Sequence, residues 1–361
     1  MLCCKLNNVG LVRLLLDNRA SLDAVDKIGA TALMISSEQG NLKVVVLLVM
    51  AGADLDVEDV FGKSALCLAA EQERLEVVVY LMRVGSNPCS RKNDGMTPLH
   101  TAARHGRLEV VKALVGGGAL LSSNVLNKDG LCVHDCYVPL DMACFGGYTD
   151  VVRWILSFGL ETCGGHTEGH QAFQVASFFG HVDLLELLAQ KGIRDTGAAL
   201  IFGTFGSKQE SVKFLLNKYK ESSEQDQVQD RVNYRDERGR TALMMAVGKY
   251  NFSPKMVKWL VEAGADTTVR VEVPQDGDDT LLEWTTKLMV GETEENVQKV
   301  KAIRRVLMQE DAVHAKSWLW PETCTNSSKK KFGPITAVVR RNSRVVNLAL
   351  LRYSGKPDVE N

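Results

Sequence analysis

This sequence lacks a charge bias. Its 43 Lys and Arg stand against 44 Asp and Glu, a formal net charge of -1. Such a balance selects neither nucleic acid nor an anionic membrane surface. It lacks a long apolar run as well. The longest, "VVVLLVMAGA" at 44–53, is far short of the roughly 20 residues that cross a bilayer as a helix. The start, "MLCCKLNNVGLVRLLL", has no basic segment ahead of an apolar block, so it does not read as a secretion signal. Catalytic signatures are missing too: there is no Walker loop, no G-x-S-x-G elbow, no H-E-x-x-H and no dinucleotide fingerprint. "GGHTEGH" (164–170) has the glycines of a phosphate loop but follows no predicted strand.

What is present is 361 residues, 45% apolar and 24% charged. That suits several domains or one elongated array. Nine cysteines, an odd number in a chain too long for a small stapled scaffold, read as free thiols in a reducing compartment.

The decisive feature is a period. "KIGATALMISSEQGNLKVVVLLVMAGADLDVED" begins at Lys27, "VFGKSALCLAAEQERLEVVVYLMRVGSNPCSRK" at Val60 and "NDGMTPLHTAARHGRLEVVKALVGGGA" at Asn93. Gly29, Gly62 and Gly95 are 33 apart, and so are Gly52, Gly85 and Gly118. Each unit predicts two short amphipathic helices. The first carries paired small residues (Ser36 and Ser37, Ala69 and Ala70, Ala102 and Ala103), which allow close packing. The second carries the apolar run (Val44, Val45, Leu47 and Leu48; Val77, Val78 and Leu81; Val110, Val111 and Leu114) and ends at a glycine, the residue that adopts left-handed backbone at least cost. One such unit cannot bury its own apolar face, so neighbours must stack.

"DGMTPLHTAARHGRLEVVKALV" (94–115) resembles the ankyrin repeat family, close to its D-G-x-T-P-L-H-x-A-A-x-x-G-H-x-E-V-V-x-x-L pattern. The resemblance implies an all-α solenoid of stacked helix-turn-helix units with β-hairpin fingers. It also implies that Thr97 caps the first helix, Pro98 opens it and His100 bonds the adjacent turn. The expected function is that of a non-enzymatic scaffold or adaptor that binds a protein partner through its concave face and finger tips, with no nucleic acid or membrane partner. The chain is expected to be monomeric or part of a longer one, and cytoplasmic, with a nuclear location as the alternative.

The register predicts an array over 1–218, with a truncated first unit and a degenerate seventh. A charged linker at 219–231 ("YKESSEQDQVQDR") reads as too polar to pack. Two further units follow at 232–315, then a linker at 316–332 and a terminal unit at 333–361. Cys3 and Cys4 fall on the small paired positions, which reads them as core rather than as palmitoylation sites. "RRNS" (340–343) fits a basophilic kinase site at Ser343, and "KKK" (329–331) a nuclear signal, but solvated loop is the plainer reading of both. His100 and His105 are not a catalytic pair: one is structural, the other lies on the surface.

Two sets of candidate site residues emerge. The residues after the small pair face the concave side: Glu38 and Gln39, Glu71 and Gln72, then Arg104 and His105. From there the chemistry turns aromatic, with Phe145 and Gly146, Phe178 and Phe179, and Thr204 and Phe205. Arg104, His105, Phe145, Phe178, Phe179 and Phe205 are therefore the candidate partner-binding residues, because aromatic anchors are over-represented at binding hot spots. Against this, the phenylalanines could simply pack on one another. The second set is Cys132, His134 and Cys136 in an extended fifth finger, with Cys163, His166 and His170 in the next. C-x3-C and H-x3-H are spacings that tetrahedral zinc sites use, so a zinc-stabilised or redox-responsive regulator is the alternative to a scaffold without cofactor. A third reading is the adaptor portion of a larger ubiquitin ligase, kinase or channel.

Overall fold

A computed structural model describes residues 1–122, 137–159, 170–193, 195–221, 225–248, 253–273, 277–281, 285 and 294–311. They fall into two bodies, Met1–Tyr234 and the described residues from Arg235 onward.

In the first body the expected helix pairs are all present. They are α1 Leu2–Lys5 and α2 Val9–Asp17; α3 Ala32–Gln39 and α4 Leu42–Met50; α5 Ala65–Glu71 and α6 Leu75–Arg83; and α7 Pro98–Arg104 and α8 Leu108–Gly116. Beyond the gap come α9 Pro139–Gly146 and α10 Thr149–Ile155, α11 His170–Phe179 and α12 Val182–Gln190, and α13 Ala198–Phe205 and α14 Gln209–Glu221, with α15 Gln225–Val232 following. First helices stack on first helices, α3 on α5 on α7 on α9 on α11 on α13, and second helices form a looser outer layer. Small residues allow this. Ser36, Ser37, Ala69, Ala70, Ala102, Ala103, Ala143 and Cys144 are buried between first helices, as Cys3 and Cys4 are in the first pair. The apolar runs of the second helices are buried apart from the half-buried Leu47, with Val44, Val78, Val111 and Leu114 at 0% exposure. Burying each such side chain stabilises by about 1.5–3 kcal/mol.

The caps are those the sequence calls for. Thr97 Oγ1 accepts from His100 N at 3.5 Å and Pro98 stands at the first helical position. The His100 ring bonds within its own turn, Nδ1 lying 2.8 Å from Thr97 Oγ1 and accepting from Thr97 N at 3.2 Å. The same slot is filled by other acceptors elsewhere. Thr31 N donates to Met34 Sδ at 3.3 Å and Val138 N to Asp141 Oδ2 at 2.9 Å.

A second device recurs between repeats. The residue entering each second helix reaches back over the left-handed turn of the repeat before it. Arg74 Nε donates to Glu38 O at 2.9 Å, and a Cβ on Gly40 would lie 2.7 Å from the Arg74 side chain. Tyr148 covers Gly106 (φ 71°) so closely that a Cβ there would lie 2.3 Å from its ring. The third repeat has Glu73 at this place, still at φ 59°. Its reaching residue Arg107 ion-pairs with it instead, at 2.5 Å.

Three expectations need correction. The fingers are tight turns rather than strand hairpins: Asp26 N bonds Ala30 O, Asp59 N bonds Lys63 O and Lys92 N bonds Met96 O, each at 3.0 Å. Val25 and Thr31 form an isolated bridge, and the short turns leave no further room for a ladder. The segment 219–231 is not an unpacked linker, since α14 runs to Glu221 and α15 covers most of the rest. Tyr219 and Val232 are each 2% exposed, the Tyr219 hydroxyl donates to Asp195, and the Arg231 guanidinium lies 5.6 Å from the Tyr219 ring centre. The polar average concealed one amphipathic face. In the seventh repeat, α13 ends at Phe205 and Ser207 takes the left-handed turn at φ 57°. That slips the expected register by one and buries Thr204.

In the second body, Thr241 caps α16 (Ala242–Val247), and Ser253 caps α17 (Pro254–Glu262). An antiparallel pair follows, β1 (Arg270–Val273) with β2 (Gly277–Thr280), then α18 (Glu294–Asp311), whose Val300, Ile303 and Leu307 are buried. α17 packs on α18. The pattern Val269, Val271, Val273 has the period of a strand, and the second of the two units expected within 232–315 is preceded by β1 and opens with β2 rather than with a helix. The linker 316–332 and terminal unit 333–361, with Ser343 and Lys329–Lys331, lie outside the described residues.

Candidate binding face

The concave ends of the first helices form a row whose chemistry changes along the stack. At one end it is acidic and amide. Glu71 Oε2 accepts from Lys63 Nζ at 2.7 Å. Burial would raise the Glu71 carboxyl, but that hydrogen bond and the charges of Lys63, Lys92 and His105 hold it below the usual carboxylate range. In the next repeat, burial pushes the His105 imidazole below its ordinary value and outweighs the attraction of Glu71; Arg104, Arg107 and Lys92 act in the same direction as burial.

Arg104 begins the change. Its guanidinium lies 4.6 Å from the Phe145 ring centre, a cation–π contact. Phe145 then meets Phe179 at 4.4 Å, Phe179 meets Phe178 at 5.0 Å, and Phe178 meets Phe205 at 5.9 Å. These separations are those of tilted and edge-on aromatic pairs. The rings thus pack on one another, and all four remain half-buried. Position explains the order. Phe145, Phe178 and Phe205 are each two residues before the left-handed turn of their repeats, while Phe179 takes the place that Gly146 and Gly206 occupy on either side. A Cβ on Gly206 would stand 2.3 Å from Phe178 O, so this place stays empty in the seventh repeat.

All six expected partner-binding residues are therefore half-buried and joined in sequence from Arg104 to Phe205, with His105 at the acidic side of Arg104. Sequence reasoning missed His181. It stacks on Phe179 at 6.3 Å and 18°, its Nε2 is 3.4 Å from Phe145 O, and burial lowers its pKa. The register did hold the signal: His181 stands where Arg74, Arg107 and Tyr148 stand, at the entry to a second helix. Thr204 drops off the face, with its Oγ1 donating to Leu200 O at 2.7 Å in the core.

Of the metal candidates, Cys132, His134, Cys136, Cys163 and His166 lie outside the described residues, and His170 is the first residue of α11. Among the described residues, no group of three or more His, Cys, Asp or Glu is arranged to hold a metal ion. No described helix is long and apolar enough to cross a membrane.

Stacked helix pairs with small-residue inner helices, Thr-capped first turns and left-handed glycine turns define a helical repeat protein. The three-copy ankyrin repeat model matches residues 1–59 and 50–129, and the single ankyrin repeat model matches 238–271. Both stretches are thus ankyrin repeats. No curated protein matches the chain. Ankyrin repeats are in general protein–protein interaction modules.

Proposed function

We propose that this chain is a non-enzymatic scaffold that docks a protein partner on the concave row from Arg104 to Phe205. The observation that carries the reading is the continuous aromatic run Phe145, Phe179, Phe178 and Phe205, half-buried in a row that is otherwise polar. A partner side chain laid on these rings loses water against a surface already rigid, the arrangement in which apolar anchors contribute most. The reading requires no cofactor, no nucleic acid and no oligomer, and suits a cytoplasmic protein.

Affinity purification with mass spectrometry tests it. Phe178→Ala with Phe179→Ala should remove the partners recovered by the unaltered chain, with a loss of at least about tenfold. Unchanged recovery from a variant of unchanged melting temperature sinks the reading. The zinc-regulator alternative has its own test in the metal content of the purified chain: stoichiometric zinc that is lost on Cys132→Ser and His166→Ala would favour it.

A further inference from the structure

The first two finger tips carry apolar side chains that their turns do not need. Val25, Ile28, Val60 and Phe61 are 54%, 48%, 58% and 56% exposed. The turn geometry is shared by fingers with polar tips. Asp26, Asp59 and Asp236 each accept two backbone N–H bonds through Oδ1, and Gly29, Gly62, Gly95 and Gly239 all have φ between 71° and 81°. The tip places hold Lys27-Ile28 and Val60-Phe61 in the first two, but Asn93-Asp94 and Glu237-Arg238 in the others. The same fold is thus reached without exposed apolar groups, and their exposure costs solvation that nothing within the turn returns.

The two tips are also locked side by side. Val60 N donates to Ile28 O, and Asn93 N donates to Phe61 O, both at 3.0 Å. Asn93 Nδ2 adds a bond to Val60 O at 2.9 Å. The apolar groups therefore sit on a rigid base.

Charge around them is predominantly acidic. In the finger segments 21–30 and 53–62, Asp23, Asp26, Asp54, Asp56 and Glu58 are exposed, against Lys27 as the one base. Asp54, Asp56 and Glu58 alternate in sequence with half-buried Leu55 and Val57 and form an exposed acidic edge to the second finger. The following finger, "SNPCSRKNDG" (86–95), has Arg91 and Lys92 and a single acid, which pairs with Lys92 at 3.3 Å. The acid edge thus coincides with the apolar tips and ends where they end.

We propose that these two tips form a second docking surface, which takes a basic peptide segment bearing an apolar anchor. The anchor lies on Ile28, Val60 and Phe61, and Lys or Arg side chains flank it against Asp54, Asp56 and Glu58. This surface uses different residues from the phenylalanine row, so either can fail while the other stands.

Selection of a random twelve-residue peptide library on phage against the immobilised full chain tests the proposal. Enriched peptides should carry net positive charge and at least one Leu, Ile, Phe or Trp. Synthesised, they should bind about tenfold more weakly to Val60→Ser with Phe61→Ser. They should also weaken several-fold on Asp54→Asn with Asp56→Asn and Glu58→Gln, and in high salt. These positions are exposed, so unchanged melting temperatures are expected and serve as the folding control. Failure to enrich basic peptides overturns the proposal. So does equal binding to the tip variant, or binding abolished by Phe178→Ala with Phe179→Ala, which would place the peptides on the concave row.

Discussion

Residues 27–118 and 137–221 build the same stacked helix pairs by different means. In the first stretch the buried helix caps are neutral, with Thr97 and His100 bonding each other, and the buried charges Asp59 and Lys92 sit in the finger turns. In the second, carboxyls do comparable work. Asp141 takes the His100 place and accepts from Val138 N, and Asp195 accepts from Ala199 N at 3.2 Å and from the Tyr219 hydroxyl. Burial pushes Asp141 up to about 7. Burial also raises Asp195 despite its hydrogen bonds, and the buried Tyr219 hydroxyl is raised in turn. The degenerate stretch therefore keeps the fold but acquires titrating groups in its core. It also gains the aromatic face, since Phe145 and Phe178 replace the Glu38, Glu71 and Arg104 of the regular stretch.

The comparison can be broken most directly in the core. Leu99 and Leu200 are both 0% exposed, so Leu99→Ala and Leu200→Ala should each cost about 3 kcal/mol. Hydrogen exchange read separately over 65–118 and 170–216 checks this. A much smaller loss at Leu200 would mean that the degenerate stretch is loosely packed.

The next largest effect is on pH. The folded pKa of Asp141 is raised, so the native chain holds a proton that the unfolded chain has released. Stability is then present at low pH and is lost as pH rises from about 4 towards 7. Asp195 acts with the same sign. Urea unfolding at pH 5 and pH 8 should show 137–159 weakened at the higher pH, by about 2 kcal/mol, with Asp141→Asn flattening the difference. The corresponding helix start at 97–104 should show no such slope.

Smaller again is Tyr219→Phe, which takes one donor from the half-buried Asp195. We expect a loss of about 1.5 kcal/mol, measured by equilibrium unfolding of the chain through 195–232. The smallest change has the opposite sign. Glu73→Gly relieves a left-handed non-glycine residue worth about 1 kcal/mol and gives up an exposed ion pair worth less. A gain of about 0.5 kcal/mol should appear as a slightly higher melting temperature.

Legibility followed the regularity of the repeat. The 33-residue step placed every helix from α3 to α8, the buried Cys3 and Cys4, and the order of the row from Glu38 to Phe179. It failed where local chemistry was averaged or short. The segment 219–231 looked like a linker because Tyr219 and Val232 are outnumbered by charges, although one buried face is enough for a helix. The strand pair after α17 does not stand out in the sequence, because Val269, Val271 and Val273 alternate over too few residues. In the seventh repeat a one-residue slip moved Thr204 inward, since Ser207 rather than glycine makes the turn.

The sequence by itself determined that short helix pairs must stack. A 33-residue period, paired small residues and apolar runs leave no single unit able to bury its own face. It also determined which side chains share a row, because each helix ends at a marked turn. Only the tertiary structure decided what those rows became. It brought Arg104, Phe145, Phe179, Phe178 and Phe205 from four repeats into one continuous contact, and it set His181 beside Phe179. It also buried Asp141 and half-buried Asp195. Distances between repeats and the local dielectric depend on how the helices pack, and no spacing along the chain specifies either.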